Sequence, residues 1–173
     1  MPKEILSKRI TSPNNGEFER NRQGIALLIL NGKDEILLGR QNHAEPEFGR
    51  NEGDWNIITE TTEPNERFRG TVYRALFEEM RIEPEEFSDL FEVVPGTYRE
   101  SNGVYLEKLS YPFKFRCVAL HYKGDLERKF RSRDGEMSEF RWVALSEINN
   151  YHIEDGALWV IDYYQELLFS SVI

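Results

Sequence analysis

The sequence predicts an α/β or α+β sandwich formed by one domain over residues 1–173. Three observations carry this reading. Short apolar runs separated by turn residues read as strands joined in hairpins. One segment places an apolar residue at every fourth position, the mark of a helix with one buried face. Strand and helix patterns are mixed along the chain, with no internal repeat or low-complexity tract. With 173 residues, 39% hydrophobic and 13% aromatic, the chain can bury a sizeable core.

The elements follow in order. Met1 to Arg22 is polar and lacks the apolar stretch of a signal peptide. Gly24–Leu30 is a continuous apolar run, as in a buried strand, and Asn31-Gly32-Lys33-Asp34 turns it back into Glu35–Arg40. Gln41–Asp54 reads as a loop, Trp55–Ile58 as a short strand and Thr59–Asn65 as an acidic loop. Arg67–Arg81 is a helix whose buried stripe is Phe68, Val72, Leu76 and Met80, and Pro84 helps to end it. Phe91–Tyr98, Val104–Leu109 and Pro112–Tyr122 are strands, with Asn102-Gly103 as a hairpin turn. Glu139–Leu145 is the last strand. Ala157–Phe169 is the last helix, amphipathic and docked rather than membrane-bound.

Composition excludes several functions. A net charge of −9 disfavours nonspecific nucleic-acid binding, which needs a basic footprint. No apolar run is long enough to span a bilayer. Cys117 is the lone cysteine, so no intrachain disulfide forms; this fits a cytoplasmic setting. It sits in an apolar strand and reads as a buried, inert thiol. His43, His121 and His152 are scattered without metal-ligand spacing, which argues against zinc.

The chemistry concentrates on the helix. Arg74, Glu78 and Glu79 share a turn, and Thr71 and Ala75 extend that surface toward the acidic segment Glu60–Glu66. Carboxylates crowded in this way repel one another unless a cation lies between them. Mg²⁺ is the usual one, held by carboxylates together with substrate phosphates.

Glu66, Arg74, Leu76, Glu78, Glu79 and Ile82 also stand in register with the Nudix box, so the chain resembles the Nudix hydrolase family. That box runs Gly, five residues, Glu, seven residues, Arg-Glu-U-x-Glu-Glu-x-Gly-U, where U is a bulky aliphatic residue. Six of the nine specified positions match over residues 60–82. Trp55-Asn56-Ile57, Glu63 and the segment Glu136–Ile148 resemble family features beyond the nine specified positions of the box. The resemblance implies an α/β/α sandwich with a mixed sheet, and Mg²⁺- or Mn²⁺-dependent hydrolysis of a pyrophosphate bond in a nucleoside diphosphate derivative. Glu78 and Glu79 would bind metal, with Glu136 and the main-chain carbonyl of Thr59 as further ligands. Arg74 and Glu66 would form an ion pair tying helix to loop. The partner implied is a small nucleotide; nucleic acid and membrane are not expected, and a homodimer is left open.

Three positions depart from the box: Glu60 for Gly, Ala75 for Glu and Arg81 for Gly. Alanine neither binds metal nor takes a proton, and losing a general base costs ~10²–10⁴ in rate. Glu60, Glu63, Glu136 or Glu139 are the candidate replacements. Arg81, if left-handed, costs on the order of 1 kcal/mol; alternatively the helix runs on toward Pro84. The other functional reading is a catalytically impaired Nudix fold that binds nucleotides as a sensor. The basic run Arg128–Arg133 places Arg131 and Arg133 as substrate-phosphate candidates just before Glu136. Tyr98, Tyr105, Tyr111 and Trp55 are candidates to stack on a base.

Overall fold

The computed structural model describes residues 23–45, 50–95, 99–100, 104–106 and 111–170. A mixed sheet lies between helices, giving the α/β/α sandwich expected. The strands are β1 (Gln23–Leu30), β2 (Glu35–Gln41), β3 (Trp55–Asn56), β4 (Ile58–Thr61), β5 (Phe91–Val93), β6 (Arg99–Glu100), β7 (Val104–Leu106), β8 (Tyr111–Tyr122) and β9 (Met137–Ala144). The helices are α1 (Phe68–Met80), the single-turn α2 (Phe87–Leu90) and α3 (Asp155–Ser170).

β1 is the spine. It runs parallel to β8 from Gln23 opposite Lys114 to Leu30 opposite His121. Its alternate residues feed two cores. Ile25, Leu27 and Ile29 pack with Val72, Ala75, Leu76 and Met80 of α1. Ala26 and Leu28 pack with Ala157, Val160, Ile161 and Tyr164 of α3. Burial on both faces is why β1 reads as one apolar run rather than an alternation.

The other edge of β1 is divided. At its end Leu30 pairs with Ile36 of β2, forming the expected hairpin. At its start, Gly24–Leu27 pair antiparallel with Thr61–Ile58 of β4. β3 pairs instead with Gly39 and Arg40 of β2. The segment 55–61 therefore fills the fork between β1 and β2, and Ile57, where it changes partner, is fully buried. This corrects two expectations: Trp55–Ile58 is not one strand, and Thr59–Thr61 is strand rather than loop. Polar Thr-Glu-Thr survives there because the strand is only half-buried at those positions.

Other boundaries also moved. β5 stops at Val93, short of Tyr98, which lies outside the described residues, as do residues 1–22, the turn Asn102-Gly103 and residues 107–109. β6 and β7, on either side of residues 102–103, are both antiparallel to β8 and so run in the same direction, which corrects the expected hairpin between them; the strand that β7 pairs with is β8. β9 starts earlier than expected, at Met137, and pairs with β2. The helix Phe68–Met80 falls within the expected span. Among the described residues, no helix is long and apolar enough to cross a membrane.

Arg81 ends α1 in the left-handed conformation, φ 55° and ψ 41°. Its N–H donates to Phe77 O at 3.0 Å, and that of Ile82 to Leu76 O at 3.2 Å. The Arg81 bond is the 5→1 bond of an αL closure, and Ile82 is buried in the same core cluster as Leu76. The helix does not continue to Pro84, which opens a separate 3₁₀ turn, Pro84–Glu86.

Candidate active site

Three segments converge: the end of β4 with the turn after it, the face of α1 toward that strand, and the loop between β8 and β9. The turn is fixed by Glu66. Its carboxylate accepts two hydrogen bonds from Arg74, from Nε to Oε2 and from Nη2 to Oε1, both 3.0 Å. It also accepts from Thr71 Oγ1 at 2.8 Å and from the Glu63 N–H at 3.1 Å. The Arg74 hydrogen bonds pull the Glu66 carboxyl down to about 2. Arg74 Nη2 donates to the Thr61 carbonyl at 2.5 Å as well. The two residues thus clamp helix to strand and turn.

Glu78 and Glu79, adjacent in sequence, have different surroundings. Glu78 is half-buried, 3.5 Å from Arg74 Nη1. The same nitrogen lies 3.3 Å from Glu60 Oε1. Burial raises the Glu60 carboxyl to about 7; Arg74 and the Thr61 N–H oppose the rise and Glu78 adds to it.

Glu79 is only 3% exposed. One of its carboxylate oxygens, Oε2, is buried without a hydrogen-bond partner. Oxygens of Glu79, Asp134 and Glu136 lie within 4.8 Å of one another. Burial first, then the charges of Glu136 and Asp134, push the Glu79 carboxyl up to about 9. Burial and Asp134 likewise raise Glu136. Three carboxylates packed together, one of them with a buried and unpartnered oxygen, form a set of oxygen donors suited to a cation.

The loop that brings Asp134 and Glu136 is held from several sides. The Arg133 N–H donates to the Glu78 carbonyl at 2.6 Å, satisfying one of the free carbonyls at the end of α1. Ser132 Oγ donates to Asp134 Oδ1 at 2.7 Å, and the Glu136 N–H reaches both side chains. Asn42, at the end of β2, donates through Nδ2 to Gly135 O at 2.9 Å and through its N–H to Glu136 O at 2.8 Å. Gly135 has φ +76°, a conformation this turn needs and a Cβ would strain.

The structure thus brings Glu79 and Glu136 together and adds Asp134, which the sequence reading did not name. The available signal was Asp134-Gly135, a turn dipeptide able to present an acid just before a strand. Thr59 lies on β4, where its Oγ1 accepts from Arg50 Nη2 at 2.9 Å. Glu139 stands apart on β9, beside Arg40 and Arg141 at 3.6 and 3.3 Å. Glu63 is exposed. Ala75 is fully buried in the core between α1 and the sheet.

Of the basic run, Phe130 is buried and Arg128 pairs with Glu86 at 3.1 Å. Arg133 stacks its guanidinium 4.9 Å over Phe77. Lys129 and Arg131 are exposed and, with Arg128, edge a cavity of about 600 Å³ floored by Leu37, Phe140 and Trp142. Trp55 is buried, with Arg141 over its ring at 5.0 Å and Tyr151 against its edge at 5.4 Å. It is a packed core residue and does not offer a face for stacking. The side chains of Tyr98, Tyr105 and Tyr111 lie outside the described residues. Cys117 is buried as expected, and burial raises its thiol to about 11.

Several solved structures share this fold. One is a bifunctional NMN adenylyltransferase/ADP ribose pyrophosphatase from Francisella tularensis, with TM-score 0.64 and 13% identity over 94% of this chain. This chain spans 46% of that protein's length. Another is the NUDIX domain of Shewanella oneidensis NrtR complexed with ADP ribose, with TM-score 0.61 and 15% identity over 95% of this chain and 98% of that one. A third is the MutT protein of Methanosarcina mazei Go1, with TM-score 0.58 and 20% identity, covering 88% and 96% of the two chains. A search of curated proteins gives no sequence match. The family model of the NUDIX domain matches residues 20–166, which covers the strand spine, the clamp, the carboxylates and most of the C-terminal helix; the chain belongs to the NUDIX domain family.

Proposed function

We propose that this chain hydrolyses a pyrophosphate bond in a nucleoside diphosphate derivative with the help of a divalent cation, Mg²⁺ or Mn²⁺. The observation that carries this is Glu79, buried with one oxygen unpartnered and facing Asp134 and Glu136. An all-oxygen set of carboxylates suits a hard cation of this class. Glu79, Asp134 and Glu136 would hold it, with Glu78 of the box and the Thr59 carbonyl just before it as the further candidates. When bound, the cation screens the diphosphate charge and lowers the pKa of a water.

The rest of the work falls to residues that position. Glu66 and Arg74 hold α1 against the turn, and the Arg133 N–H holds the acidic loop against the last turn of α1. In a chain of net charge −9, an anionic substrate needs local cations. Arg131 and Lys129, exposed at the edge of the cavity, supply them, and the Leu37–Phe140–Trp142 floor offers apolar surface to the rest of the ligand. Arg133, engaged with Phe77, is the weaker candidate for phosphate binding. A cytoplasmic location and small nucleotide ligands fit this reading.

The test is a panel of nucleoside diphosphate sugars, dinucleoside polyphosphates and nucleoside triphosphates, with Mg²⁺, Mn²⁺ or chelator. Metal-dependent release of a nucleoside monophosphate from at least one supports the proposal; no cleavage of any contradicts it. One observation favours a second reading. The buried methyl of Ala75 leaves the box short of a carboxylate, as in a domain that binds a nucleotide without turning it over. That reading predicts saturable, metal-dependent nucleotide binding and intact ligand after prolonged incubation.

A further inference from the structure

Two of the departures from the family box, Glu60 and Ala75, sit at one contact. β4 packs against α1, and Ile58 shares a core cluster with Ala75. Glu60 is paired with Ile25, whose side chain faces α1, so Glu60 projects toward the same helix. It arrives beside the box carboxylates: Arg74 Nη1 lies 3.3 Å from Glu60 Oε1 and 3.5 Å from Glu78 Oε2. Position 75, one helical turn before Glu79, carries a methyl with no exposure at all.

We propose that Glu60, carried by the strand, is the third acidic group of the box, in place of the helix position that Ala75 occupies. The proposal rests on the metal-dependent reading above. Charge counting favours it. Arg74 already has a full carboxylate partner in Glu66, bound through two nitrogens, and a carbonyl partner in Thr61. One guanidinium cannot also neutralise Glu60 and Glu78, which share a single nitrogen of it. Glu79, the next residue along α1 after Glu78, independently has a buried oxygen that lacks a partner.

The experiment is Mn²⁺ binding to the full chain, followed by electron paramagnetic resonance, for the wild type, E79Q, E60Q and the double variant E60G/A75E. Circular dichroism checks that each variant folds. E60Q keeps the size of the side chain and a hydrogen-bonding group for Arg74 while removing the charge. It is expected to weaken Mn²⁺ binding ~10-fold or more, with kcat falling in parallel. The double variant returns the carboxylate to the helix and is expected to bind within ~3-fold of the wild type, by the same scale of ligand effects. If the double variant does not fold, E60Q decides alone. Wild-type affinity in E60Q, with binding lost in E79Q, overturns the role of Glu60 and leaves the metal centre standing. No Mn²⁺ binding by the wild type overturns the metal centre and the role of Glu60 together.

Discussion

At the scale of the residue, Glu66 and Glu79 are perturbed in opposite directions, and the signs of their pH effects differ. Glu66 is held down to about 2 by Arg74, below the ordinary value of 4.5. Its stabilisation is therefore complete above about pH 4.5 and is lost as pH falls toward 2. Glu66→Ala leaves Arg74 without its main partner and should cost about 2–3 kcal/mol in urea unfolding at pH 7, with the loss shrinking in acid. Glu79 is pushed up to about 9. Its neutral form contributes most below about pH 4.5, and the metal-free protein should lose stability as pH rises from there toward 9. Glu79→Gln cannot ionise in the unfolded chain. It should raise the metal-free Tm more at pH 8 than at pH 5, and should abolish the rise in Tm that Mn²⁺ gives the wild type. Thermal scans at the two pH values, with and without Mn²⁺, check both statements. Equal Mn²⁺ shifts in Glu79→Gln and wild type would remove Glu79 from the metal site.

The element that matters most is α1, and much of it is legible in the sequence. Four apolar residues at a period of four, with Pro84 beyond, define the helix without reference to any partner. Glu66 and Arg74 are legible as a clamp because the box spacing fixes both residues. β4 was not legible: Thr59-Glu60-Thr61 has the polarity of a loop, and only pairing with β1 makes it a strand. The same holds for the parallel pairing of β1 with β8, which joins residues about ninety positions apart and leaves no local pattern. Asp134 escaped for a related reason. Asp134-Gly135 signals a turn, but only the loop that Asn42 and Ser132 hold together brings the acid beside Glu79. Arg81 offers a test at this scale. Arg81→Gly relieves a side chain from the left-handed region while loosening the unfolded chain, so a net gain of about 0.5–1 kcal/mol is expected. The urea midpoint should rise at an unchanged m-value. A loss would mean that the Arg81 side chain contributes contacts outweighing the strain.

Across the whole molecule, the sheet places chemistry on one face. The core under α1 includes Ile58, Phe130 and Leu37, so the same packing that buries the helix also anchors β4, the segment that leads into the acidic loop, and the floor of the cavity that Lys129 and Arg131 edge. The opposite core, under α3, contains no part of the carboxylate centre. Substitutions beneath α3 should therefore act through stability. Tyr164→Ala, at a fully buried aromatic, should cost ~3–5 kcal/mol while leaving Mn²⁺ affinity of the folded fraction unchanged. Arg131→Ala should raise KM for an anionic substrate several-fold, with kcat little changed, and the effect should fade at high ionic strength. A kcat effect with unchanged KM would move Arg131 out of the binding role.

The most direct measurement of the central claim is a crystal structure of the chain soaked in Mn²⁺, with anomalous scattering used to locate the ion. The account predicts an anomalous peak coordinated by carboxylate oxygens of Glu79, Asp134 and Glu136. A soaked crystal with no peak there, or with Mn²⁺ bound only elsewhere, would contradict it.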